Sequence, residues 1–203
     1  MTPCSSDPPT QACRSIEPLV GPAIVDKDSN PTELYYHCAR ANLEVAHLGR
    51  TLRFLESTGV AFIAGRHDND GQVADNPTPS RMRNWQDLDM LPTQLRDIAL
   101  ADQGRWKDAM IGTFKDDHGQ EYFMVVNLWH HHDLSAAQCA QTITLTFTPG
   151  VKQVTRLSRE TGRAEQLVVR DSTLKITLPG GTGDLFKFGD GPFPGLERVT
   201  ARP

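Results

Sequence analysis

Ile143-Thr144-Leu145-Thr146-Phe147 alternates apolar and hydroxylated side chains with a period of two. In an extended strand this places Ile143, Leu145 and Phe147 on one face and Thr144 and Thr146 on the other, as a half-buried sheet requires. Neighbouring segments repeat the pattern. Leu174, Ile176 and Leu178 alternate with Lys175 and Thr177, and Leu185, Phe186 and Phe188 close the series. Val151–Leu157 and Gln166–Val169 flank residues 158–165, a hairpin loop carrying Gly162. Upstream, Met110–Phe114 precedes the turn-forming residues 115–120, and Tyr122–Leu128 is apolar on both faces, like a central strand. Short strands with turns roughly every ten residues predict an antiparallel β-sandwich of about seven to eight strands over residues 106–190.

A different period precedes it. Leu34, Cys38, Ala41, Val45, Leu48, Leu52 and Leu55 recur at alternating gaps of four and three, one continuous helical stripe. Asn30, Pro31 and Glu33 have the spacing of a helix start with a capping box. Ser57-Thr58-Gly59 suits the end, and Val60–Ile63 reads as a short strand. The fold class is therefore mainly β, a sandwich preceded by one long α-helix. Residues 1–20, with four prolines, read as a flexible tail, and residues 21–64 as the helix with its short strand. Residues 65–105 read as a linker with short irregular elements, including an amphipathic piece using Trp85, Leu88 and Leu91 before Pro92. Residues 191–203 read as a second tail.

The chain has 203 residues, 38% hydrophobic and 23% charged, enough to bury a core without staples. A formal net charge of −4 leaves no basic excess to neutralise phosphates, so nucleic acid is excluded as the main partner. No apolar run approaches the ~18 residues of a membrane span, and the first fifteen residues lack the apolar core of a signal peptide. As it stands the chain reads as cytoplasmic. Cys4, Cys13, Cys38 and Cys139 match no zinc spacing and read as unpaired thiols, although a Cys4–Cys13 bridge stays open.

Chemistry-bearing groups are sparse. His130-His131-His132, between Trp129 and Asp133, is the densest run of ligating side chains. On a strand, successive residues point to opposite faces and cannot all converge, whereas a loop relaxes this. The run is read either as an exposed polar loop or as a metal site using His130, His132 and Asp133. His67-Asp68-Asn69-Asp70-Gly71 resembles part of a calcium loop but has Arg66 where a ligand belongs and no closing Glu. Glu33/Glu44, Asp68/Asp70 and Asp87/Asp89 could be paired as glycosidase carboxylates, but helix-surface and loop positions make them solvated charges. Trp85, Trp106, Trp129 and Tyr122 are candidate platforms for sugar rings; the competing reading is that at least two of the tryptophans fill the core or the seam beside it. Residues 179–184, Pro-Gly-Gly-Thr-Gly-Asp, are a tight turn and not a phosphate loop, and no serine-hydrolase elbow is present.

Two stretches carry a family resemblance. Ile24-Val25-Asp26-Lys27-Asp28 followed by Ala41-Asn42-Leu43-Glu44 and Leu48-Gly49 resembles the last helix of a barrel. Leu178, Pro179, Gly181, Gly183, Leu185 and Phe186, after the Thr161-Gly162 hairpin, match the closing pattern of a C-terminal sandwich. In this order they resemble the C-terminal region of glycoside hydrolases of the beta-galactosidase-like (β/α)8-barrel type, over roughly residues 21–190. The resemblance implies that the two catalytic carboxylates belong to barrel strands upstream of residue 21, and no residue here matches either. The expected function is a non-catalytic accessory sandwich of a carbohydrate-active enzyme, without a cofactor. Its expected partners are a barrel domain, or a second copy, docked on the Leu34–Leu55 helix face. A stand-alone carbohydrate-binding module is the alternative, and a small metal-dependent enzyme the third reading.

Overall fold

The computed structural model describes residues 24–65, 83–87, 91–101 and 107–196. The chain divides into two compact units, one ending at Leu43 and one starting at Glu44. The single α-helix of the described residues, α1 (Glu33–Leu52), runs through the boundary.

In the first unit, a turn precedes the helix. The Asp26 carboxylate accepts the backbone N–H groups of Asp28 and Asn30, both at 2.8 Å, and the Asn30 amide donates to the same carboxylate. Asn30 is thus spent inside this turn. Thr32 stands at the capping position, its carbonyl accepting Tyr35 N–H at 3.0 Å and its hydroxyl donating to Ile24 O. The predicted cap is displaced by two residues, because Asp26 competes for Asn30. Among residues 24–43, Ile24, Val25, Leu34, Tyr35, Tyr36 and Leu43 are exposed large apolar side chains.

The second unit is a two-layer antiparallel sandwich, which agrees with the predicted fold class. It contains β1 (Glu56–Ile63), β2 (Leu95–Leu100), β3 (Ala109–Lys115), β4 (Glu121–Asn127) and β5 (Gln141–Phe147). It continues with β6 (Gln153–Leu157), β7 (Ala164–Val168), β8 (Thr173–Leu178) and β9 (Gly183–Phe188). One sheet has the order β1-β3-β4-β9-β6-β7 and the other β2-β5-β8. Ile143 pairs with Ile176 and Leu145 with Leu174, so the apolar alternation of both strands falls on one face. That face meets Ile111, Phe123, Val125, Val154 and Phe186 of the larger sheet. Phe123 stacks on Phe186 at 5.2 Å between centroids, with Phe188 at 5.5 Å and Phe147 at 6.5 Å.

β4 and β9 bury side chains on both faces because the larger sheet is covered on both. On its outer face Tyr122, Leu157 and Leu185 pack with Leu48 of α1 and Phe193, flanked by Leu52, Leu55 and Leu196. The C-terminal half of α1 and the segment after β9 therefore form a third layer. The predicted tail from residue 191 is docked as far as Leu196, with Phe193 fully buried.

Two strands fall outside the predicted span of the sandwich. β1 absorbs Ser57-Thr58-Gly59, expected as a helix end, and pairs with β3 through a register shift between Ser57 and Gly59. β2 lies inside the stretch expected as a linker and pairs with β5. Cys38 and Cys139 are free thiols; Cys4, Cys13 and the calcium-like residues 67–71 lie outside the described residues. Among the described residues no helix is long and apolar enough to cross a membrane.

Candidate functional site

Three polar constructions stand out in the second unit. The first is the connection between β4 and β5. β4 leaves the sheet at Asn127, which is completely buried. Its amide nitrogen donates to Cys139 O and Leu178 O, both at 2.9 Å, and its oxygen accepts Trp129 N–H at 2.9 Å. Leu128 N–H donates to Asp108 O, and Gly180 N–H to Ala136 O. Ser135 and Gln138 close the far side with reciprocal bonds. Both feet of the loop are thereby fixed while residues 130–138 stay in solvent.

At the crest, one ligand atom each from His131, His132 and Asp133 lies within 4.8 Å of the other two. His132 Nε2 is 2.9 Å from Asp133 Oδ2, and the two imidazoles stack with centroids 4.5 Å apart. Asp133 N–H donates to His131 Nδ1 at 3.1 Å. His130 turns away, its Nδ1 3.1 Å from Leu128 O. Of the predicted trio, His132 and Asp133 come together, and His131 stands where His130 was expected. The segment turns instead of extending, so neighbours in sequence converge. Trp129 is half-buried, with Lys107 Nζ 4.7 Å from its ring centroid. Trp85 packs against the core between the sheets, and Trp106 lies outside the described residues.

The second construction is a buried ionic cluster. Arg159 Nη1 reaches Asp184 Oδ1 at 3.2 Å, and Arg159 backbone N–H donates to the same oxygen. Arg159 Nε stands 3.3 Å from Glu44 Oε2, an ion pair rather than an aligned hydrogen bond, and His47 Nδ1 meets Arg159 O at 2.7 Å. Arg156 bridges Asp184 and Glu165. Glu44 is therefore engaged by a guanidinium, while Glu33 is exposed beside His37 at 3.5 Å. Of the other paired carboxylates, Asp68, Asp70 and Asp89 lie outside the described residues.

The third is a cavity of about 470 Å³ lined by Phe54, Asp116, Asp117, His118, Tyr122, Pro192, Pro194 and Gly195. Tyr122 is buried, so it offers no sugar platform, and its hydroxyl donates to Asp116 Oδ2 at 2.9 Å. Burial, with this bond and the Asp116 charge behind it, raises the phenol well above the ordinary tyrosine range. For Asp116, burial pushes the carboxyl up. The backbone N–H of Gln120, the Tyr122 hydroxyl, the backbone N–H of His118 and the His118 charge outweigh it and hold the group low. Burial lowers the Lys187 ammonium against the opposing pull of Asp190 and Asp116. Lys187 donates to Pro192 O at 3.2 Å and lies over the Phe193 ring. Residue spacing gave no sign of this network, which joins three separate segments.

The chain matches no protein-family model, no characterised protein and no solved structure.

Proposed function

We propose that this chain is a non-catalytic accessory β-sandwich of a glycoside hydrolase, and that the exposed apolar side chains preceding and opening α1 seat a barrel domain. One observation carries the reading. Leu34, Tyr35, Tyr36 and Leu43 are 36%, 42%, 62% and 55% exposed, with Ile24 and Val25 at 49% and 47%. Six large apolar groups exposed within residues 24–43 are a high density for a free surface, and exposed apolar surface of this kind marks interaction sites. The sequence resemblance supplies the occupant, since in that family a barrel precedes the sandwich.

The test adds the purified chain to a beta-galactosidase-like barrel prepared without its own C-terminal sandwich. A raised thermal midpoint of the barrel is expected, and it should vanish with Tyr36→Asp/Leu43→Asp. An unchanged midpoint overturns the proposal, as would hydrolysis of chromogenic glycosides by the purified chain alone.

A stand-alone carbohydrate-binding module is the second reading. It is favoured by the cavity in which the half-exposed Phe54 ring shares a wall with Asp117 and His118. Retardation on polysaccharide gels, abolished by Phe54→Ala, would support it over the first.

A further inference from the structure

We infer that His131, His132 and Asp133 form a surface site for a borderline divalent transition-metal ion, with Zn²⁺ as its test case. The argument begins with the backbone. A strand would throw neighbouring histidines to opposite faces. Here β4 stops at Asn127, and the chain bends into a turn in which Leu134 N–H donates to His131 O. That bend stacks the imidazoles of His131 and His132 and brings Asp133 against His132 Nε2.

The donor set then selects the ion. Two imidazole nitrogens with one carboxylate oxygen suit Zn²⁺, Ni²⁺ or Cu²⁺, whereas Ca²⁺ and Mg²⁺ require oxygen ligands throughout. Ligand atoms around a tetrahedral zinc lie about 3.4 Å apart, from bonds of about 2.1 Å. The three atoms here fall within 4.8 Å, and all three side chains are exposed and free to rotate inward. Binding exchanges two contacts for metal bonds: His132 Nε2 with Asp133 Oδ2, and Asp133 N–H with His131 Nδ1. Three protein ligands leave a fourth position for water or an external donor.

The loop's anchorage raises this above a chance meeting of polar side chains. Asn127, buried beneath it, ties Trp129 to Cys139 and Leu178, so the crest rests on a fixed base. Supporting contacts of this kind reduce the ordering that binding must otherwise impose. The ion is reached directly from solvent, so the site is exchangeable and does not hold the sandwich together. This inference is independent of any barrel partner.

The experiment uses the full chain without an affinity tag. Zn²⁺ alone is titrated by calorimetry and in competition with a chromophoric chelator. One ion per chain is expected, with no heat from Mg²⁺ or Ca²⁺. His131→Ala, His132→Ala and Asp133→Asn should each weaken binding by about tenfold or more. His130→Ala should leave affinity unchanged. Circular dichroism verifies that the exposed substitutions leave the fold intact. Absence of saturable Zn²⁺ binding overturns the assignment. So does binding that survives the His131/His132 double substitution, or an equal loss on His130→Ala, which would reveal only the general affinity of a histidine run.

Discussion

Arg159 Nη1 lies 3.2 Å from Asp184 Oδ1, with the two side chains 7% and 2% exposed. The same guanidinium faces Glu44 of α1, so one arginine links β9 of the large sheet to the helix layer. Removing one partner of a buried pair strands the other charge in a poorly solvated place. Arg159→Ala should therefore cost about 3–5 kcal/mol, measured by chemical denaturation. Glu44→Gln should cost less, since Glu44 is more accessible and Asp184 keeps its arginines. A loss below about 1 kcal/mol for Arg159→Ala would mean that water reaches the cluster.

This pair also marks the limit of what the residue order reveals. Alternation at Ile143, Leu145 and Phe147 identifies a core face, since one sheet face must be apolar. β2 escapes the same test because its buried residues, Leu95, Ile98 and Leu100, are spaced three and then two, across a register shift between Leu95 and Asp97. The helical stripe is legible as a period, yet its burial is not. Leu48 is buried while Val45 is 69% exposed, because periodicity cannot say what lies opposite. The meeting of His131 with His132 depends on the shape of a turn that residue order does not specify, and Arg159 with Asp184 on β-pairing across 25 positions.

The α1 layer rests on the β6–β7 hairpin through a glycine. Gly162 has φ of +64°, and a Cβ there would stand 2.8 Å from His47 Cδ2. Gly119 shares the left-handed backbone, at φ +77°, but has nothing within 4 Å. Gly119→Ala should thus cost only the conformational penalty, about 1–2 kcal/mol. Gly162→Ala should cost clearly more and speed amide exchange in residues 44–52. Equal losses in urea denaturation would show that His47 swings aside freely.

Asn127 supplies three hydrogen bonds from a completely buried position. Asn127→Ala would leave Cys139 O, Leu178 O and Trp129 N–H without that partner, for a loss of about 3 kcal/mol. Amide exchange should accelerate across residues 128–140 before it does in β5 or β8. A variant that melts uniformly, with no local exchange signature, would show that Asn127 supports the whole sandwich and not this loop.

The Tyr122–Asp116 bond makes stability pH-dependent at both ends. Asp116 is held below the ordinary carboxylate range in the fold. Its contribution is therefore present above the unfolded value, about 3.9, and is lost as pH falls through the lower folded value. Tyr122 has the opposite sign. Its folded value is raised, so its contribution is present below the unfolded value of about 10 and is lost as pH rises beyond it. Tyr122→Phe removes one of the donors that keep Asp116 low, so the carboxyl moves back up. The variant should lose about 1 kcal/mol at neutral pH and unfold at a higher pH on the acid limb. Its alkaline limb should flatten, since no buried phenol remains at this position to ionise. Thermal midpoints collected from acid to alkaline pH provide the check, and an unmoved acid limb would mean that the Gln120 and His118 backbone N–H groups hold Asp116 low without the phenol.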